Sequence, residues 1–178
     1  MPQDHTCHDP ACGCGHDHGA DSLGPRPPVA ETPRPWRPVD QLRSIAVGIF
    51  ERDSQILCGP VHADDGTIKG WRPLGGAIHF GERAAEALAR EIHEETGQAI
   101  TDIRPLGVLE NLFNHEGAQG HEIVFVLAAQ FSNDTLYDAD QLAFREGDGP
   151  EMTAKWVSLA KARAGRMRLF PDGLTDLL

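Results

Sequence analysis

The run from Gly76 to Gly97, GAIHFGERAAEALAREIHEETG, sets a helix between two glycines and loads one side of it with acid. From Glu82 to Thr96 the residues are good helix formers, and Ala84, Ala85, Ala87, Leu88, Ala89 and Ile92 form an apolar stripe at helical intervals. Gly97 supplies the stop. On such a helix Glu91 lies one turn before Glu94 and Glu95, so that three carboxylates share a face. Crowded together they repel, and a hard divalent cation relieves that repulsion; an all-oxygen set suits magnesium or manganese better than zinc. Gly75 and Gly76 allow a tight loop whose carbonyls and amides can approach a metal or phosphate, and Arg90 is placed to pair with Glu94. A solvated acidic face is the plain alternative for any Glu-rich helix. Against it stand the fixed spacings of Gly76, the isolated Glu82, the Arg90-Glu91 pair and the Glu94-Glu95-Thr96-Gly97 end, which chance rarely combines.

A chain of 178 residues suits one domain with an adequate core plus a tail. Its formal net charge of -11 disfavours non-specific binding to nucleic acid or to an anionic membrane. Bound cations would reverse that field locally for a phosphate substrate. No stretch has the length of a transmembrane helix and the N-terminus lacks a secretory pattern, so the expected compartment is the cytoplasm.

Composition divides the chain. Residues 1–40 read as a disordered head and linker: His5, Cys7, His8, Cys12, Cys14, His16 and His18 stand among Gly and Asp, and six prolines follow between Pro25 and Pro38. The Cys and His residues offer ligands for zinc, copper or nickel, although the Cys12-Gly13-Cys14 spacing is tighter than that of structural zinc sites. Trp36 is an apolar anchor able to pin the linker to the domain. Residues 41–178 read as the folded domain, with strands over Ser44–Phe50 and Gln55–Val61 and polar loops at 62–70 and 114–120. An extended segment over Ile100–Phe113 breaks at Pro105, and a strand covers Glu122–Phe131. Residues 132–150 read as a surface excursion, before a last strand over Lys155–Leu159 and a helical piece over Ala160–Ala164. Cys58 is expected to be a buried thiol.

Gly76, Glu82, Arg90, Glu91, Ile92, Glu94, Glu95 and Gly97 match, in order and spacing, the box G-x5-E-x7-R-E-U-x-E-E-x-G-U, with U a bulky apolar residue, and the chain thereby resembles the Nudix hydrolases. Two positions depart: Gln98 stands at the final apolar position, and His79 stands where many members carry an acid. The resemblance covers residues 41–178 and implies an α+β fold, a mixed sheet held between helices as an α/β/α sandwich. It implies a Mg2+- or Mn2+-dependent hydrolase that cleaves a diphosphate bond in a nucleoside diphosphate linked to another group, and sheet-mediated homodimers are common among relatives. Glu91, Glu94 and Glu95 match the metal positions, with Gly76 beside them; Glu91 is in some members a base instead, and Glu82 a support at the helix start.

A further ligand or base is expected outside the box. Glu122 is the first candidate, because it opens an apolar strand, although a strand-edge charge accounts for it equally; Glu110 is the second. The catalytic set expected is Glu91, Glu94, Arg90 and Glu122. Gly75, Gly76, Trp71 and Phe113 are the candidates for substrate contact, the two aromatics by stacking on a base. His115 and Glu116 fall in a loop suited to substrate contact, and Arg168 in a basic cluster that reads as a solvated face or a C-terminal phosphate clamp. Markers of the ADP-ribose, dinucleoside polyphosphate and isomerase subfamilies are missing. The alternative function is a domain that senses a nucleotide without cleaving it, a role that goes with a degraded box and not with the intact one here.

Overall fold

The computed structural model describes residues 36–178; the Cys/His-rich head and the linker up to Pro35 lie outside the described residues. Strand β1 (Leu42–Ile49) is the centre of a four-stranded mixed sheet. It runs parallel to β7 (Ala118–Phe131) and antiparallel to the short β5 (Gly75–Ala77), and β6 (Ile100–His115) closes the far edge against β7. A second, antiparallel sheet takes β2 (Glu51–Arg52), β3 (Gln55–His62), β9 (Glu151–Ser158) and β8 (Gln141–Arg145), with β4 (Ile68–Pro73) also paired to β3.

The alternation of β1 dictates the layers. Ala46, with Phe50 just past the strand, faces helix α1 (Ala84–Thr96), where Ala87, Leu88 and Ile92 are buried against them. Ile45, Val47 and Ile49 face the other way, toward Leu159 at the start of the short α2 (Leu159–Arg163), Leu169 and Leu174. The expected α/β/α arrangement is therefore present, with few helices and two separate cores. Phe50 stacks on Phe131 with ring centroids 4.1 Å apart in the first core. Cys58 is fully buried in the second, where burial pushes its thiol pKa far up and leaves it protonated.

Helix α1 stops as its sequence requires: Gly97 adopts φ 70° and returns its N–H to the His93 carbonyl at 2.8 Å. Its start is later than expected. Glu82 lies before the helix, and the Glu86 carboxylate accepts the Arg83 N–H at 2.9 Å.

Three stretches expected as loops differ. Residues 114–120 are strand ends joined by a two-residue turn at Glu116 (φ 50°) and Gly117 (φ 84°), the left-handed pair that matches the twist of a hairpin. Within 132–150 the alternation of Leu142 and Phe144 makes strand β8, and Phe144 is buried; the Asp-rich flanks conceal it in the sequence. The loop at 62–70 ends early, because β4 begins at Ile68. The break at Pro105 is a shift in the β6–β7 register. Among the described residues no helix is long and apolar enough to cross a membrane.

Replacing Phe50 by Ala removes half of the stacked pair in a core with no exposed face. The expected cost is about 3–5 kcal/mol of unfolding free energy, measured by urea denaturation.

Candidate active site

The box residues assemble around one guanidinium. Arg90 donates from Nε and Nη2 to the two oxygens of Glu82 at 2.9 Å each, from Nη1 to Glu91 at 2.9 Å and Glu94 at 3.2 Å, and from Nη2 to the Ala77 carbonyl at 2.9 Å. Three carboxylates and the end of β5 are thus tied to a single side chain. The Arg90 hydrogen bonds, and then the His79 N–H, hold the Glu82 carboxyl down to about 2, while Arg90 itself is pushed upward. Glu82 is therefore a brace for Arg90 and not an acid in the helix's first turn.

Glu91 packs against backbone. A Cβ added to Gly76 would sit 2.5 Å from the Glu91 carboxylate, so this position needs glycine for the room it leaves. Gly75 needs it for conformation as well: its φ is 128°, and a Cβ there would collide with the Ala46 carbonyl. His93 is exposed, as a spacer, and so is His79.

Glu95 turns inward. Its Oε2 is buried with no hydrogen-bond partner among the described residues, and burial, with Glu146 and Glu91 adding, raises its pKa to about 8 against the pull of Arg72 and the Gly75 N–H. Glu146, on the loop after β8, carries no signal in the sequence. An orphaned carboxylate oxygen beside Glu91 is what an oxygen-preferring cation satisfies, so the donor set fits Mg2+ or Mn2+. As the side chains stand, no three acidic, His or Cys groups among the described residues gather round one point. Glu91 and Glu94 are turned to Arg90, and Glu95 points away from it into the interior.

A cleft of about 400 Å3 opens on the opposite face of the mixed sheet. Its wall and floor come from β1, β6 and β7, through Val47, Asn111, Phe113, Glu122 and Val124, and its rim carries Lys69, Arg72 and Arg168. Trp36 closes one side, edge-on to the buried His115 at 5.2 Å, and its neighbour Arg37 is paired with Asp64. Arg72 belongs to both places, since it lines the cleft and its charge acts on Glu95.

Of the residues expected at the site, Arg90, Glu91, Glu94, Glu95, Gly75 and Gly76 come together, and Phe113 lines the cleft. Two do not follow the expectation. Trp71 packs into the second core and exchanges backbone hydrogen bonds with Arg168 and Phe170; with period two along β4, the next residue, Arg72, faces the cleft instead. Glu122 is bonded to Asn111 at 3.2 Å and lies 3.7 Å from Arg43, not among the box carboxylates. It pairs with Arg43, whereas Gly76 pairs with Ala46 on the other side of β1. That register separates Glu122 from Gly76 by about 10 Å along the strands and about 10 Å across them. Glu110 is exposed on the reverse face, paired with His121 at 3.0 Å. Lys69 and Asn111 give no signal of their own in the sequence, while Arg168 and His115, which stand there in a basic cluster and a contact loop, line the cleft.

The NUDIX domain model matches residues 40–178, and the chain belongs to the Nudix family. It is similar to the nucleoside triphosphatase NudI of Escherichia coli O139:H28, 32% identical over 83 residues, and equally to that of Shigella flexneri. The match takes in 45% of this chain and 59% of those relatives, so it spans little more than half their length. Among solved structures, a NUDIX hydrolase from Nitrosomonas europaea aligns with a TM-score of 0.51 at 22% identity, covering 72% of this chain and 81% of the other. A MutT NUDIX hydrolase from Burkholderia pseudomallei aligns at 0.50 and 24% identity, covering 68% and 86%. These likenesses establish the fold.

Gly76→Ala tests the Glu91 seat. The obstructed atoms are the end of a flexible side chain, so the fold should survive with a cost of about 1 kcal/mol or less. Displacing Glu91 by about 1 Å should still lower turnover about 100-fold, as read by comparing thermal melts with initial rates.

His115 gives a pH signature. Burial, then Lys69, lower its pKa below the ordinary 6.5, so the fold prefers the neutral ring. That preference is fully expressed above the unfolded value and is lost as pH falls through the folded one. Melting temperature should therefore drop with acidification below about 6.5, and His115→Gln should flatten that part of the curve.

Proposed function

We propose that the chain is a divalent-metal-dependent hydrolase of a phosphoanhydride bond in a small nucleotide, a nucleoside triphosphate or a nucleoside diphosphate linked to another group. The observation that carries this is the buried, unpartnered Glu95 oxygen beside Glu91, in a box whose every acid is present. The name of the NudI relatives adds weight to triphosphates, and the family is typically metal-dependent.

Glu91, Glu94 and Glu95 would hold the cation, which when bound neutralises the diphosphate and lowers the pKa of an attached water. The remaining work falls to side chains of this chain. Arg90 orients Glu91 and Glu94 through charge-assisted hydrogen bonds. Arg72 and Arg168 offer positive charge to the phosphates at the cleft rim, and Phe113 a flat apolar surface to a base. This reading assigns the hydrolase to residues 41–178 with the adjoining Trp36, and divides the chain at residue 40 from a head whose Cys and His residues are candidate metal ligands.

The test is turnover of a nucleotide panel with and without Mg2+, products separated by chromatography. Glu94→Gln and Glu95→Gln should each lower kcat/KM by about 100-fold or more, the equivalent of about 3 kcal/mol of lost charge stabilisation, with the melting transition retained. Undiminished activity in both variants would sink the assignment. A folded protein that binds nucleotides and cleaves none would favour the sensing role.

A further inference from the structure

Only two polar side chains among the described residues are as buried as core, His115 and Glu122, and both line the cleft. A buried carboxylate needs partners, and those of Glu122 leave it incomplete. Asn111 donates to Oε2, and Arg43 stands near Oε1, so each oxygen keeps a free lone pair. A carboxylate only accepts, so Asn111 must turn its NH2 toward Glu122, which leaves the Asn111 carbonyl oxygen as one more acceptor. No donor reaches that oxygen among the described residues. The floor of the cleft thus offers the acceptors of Glu122 and the Asn111 carbonyl, beside the second N–H of the Asn111 amide.

Its other surfaces have different chemistry. Phe113 lies directly across Gly120, where any Cβ would collide with the ring, and presents a flat apolar face. Lys69, Arg72 and Arg168 place positive charge at the rim. The fitting occupant has a planar head with adjacent N–H donors and an anionic tail.

From this complementarity, and resting on the nucleotide reading above, we infer that Glu122 and Asn111 are specificity residues that select a guanine-type base. Guanine alone among the common bases presents two neighbouring donors, N1–H and the 2-amino group, which one carboxylate accepts together. Adenine and cytosine set a ring acceptor beside their amino group, and uracil flanks its single N–H with carbonyls; each turns an oxygen or nitrogen lone pair toward Glu122. The distance of Glu122 from Gly76 agrees with a role in selection and not in the chemical step.

The experiment compares GTP, ITP, ATP, CTP and UTP on the full chain with Mg2+. GTP should exceed ATP, CTP and UTP in kcat/KM by about 10- to 100-fold, with ITP, which lacks the 2-amino group, in between. Glu122→Gln exchanges one acceptor for a donor and should narrow the gap between GTP and ATP through KM. Equal kcat/KM for all five nucleotides would overturn the inference and leave the hydrolase reading intact. So would a Glu122→Gln variant in which kcat falls alike for every base, because the residue would then serve the chemistry. Calorimetric binding of GMP, IMP and AMP without added metal separates the two readings. Tighter binding of GMP in a protein that cleaves nothing would support base selection while removing the hydrolase assignment, and GMP binding no tighter than AMP would overturn base selection.

Discussion

Charge crowding along helix α1 and the loop before it is the constraint that organises this protein. Glu82, Glu91 and Glu94 would not remain close together unaided, and the Arg90 guanidinium absorbs all three through its planar set of donors. A lysine could not reproduce that, because an ammonium lacks the fixed fork that lets one side chain brace Glu82 while orienting Glu91. The Nη2 bond to the Ala77 carbonyl extends the brace to the edge of the mixed sheet. Helix α1, the loop before it and strand β5 are therefore one electrostatic unit. Glu95 stands outside the brace, and its buried oxygen is the unsatisfied end of the arrangement.

The two faces of the mixed sheet divide the labour. One buries the apolar stripe of α1 and so sets where the box carboxylates emerge; the other, beyond the second core, opens as the cleft. Arg72 is the link between them, and it reaches both because β4 ends beside β5.

The box was legible in the sequence because its residues are local. Spacings of three and four on a helix place Glu91, Glu94 and Glu95 without knowledge of the rest of the chain, and Gly97 marks its end. The cleft was not legible, because it is built from register. Asn111 meets Glu122 only because the turn falls at Glu116-Gly117, which sets 113 opposite 120 and 111 opposite 122. With 114–120 taken as a loop, that pairing disappears and Glu122 looks like a lone acid at a strand start. Trp71 differs for a related reason: an aromatic near the box can face either side of β4, and the strand's phase decides between the cleft-facing and the core position. Glu146 depended on a strand, β8, hidden between acidic residues.

The family model begins at residue 40, yet Trp36 forms part of the cleft wall against His115, and Arg37 is fastened to Asp64. The segment that the shared family pattern omits therefore contributes surface to the cleft. Inherited architecture and working architecture have different borders in this molecule, and a shortened protein cut at the inherited one would keep its fold-defining sheet while exposing the flank of its own cleft to water.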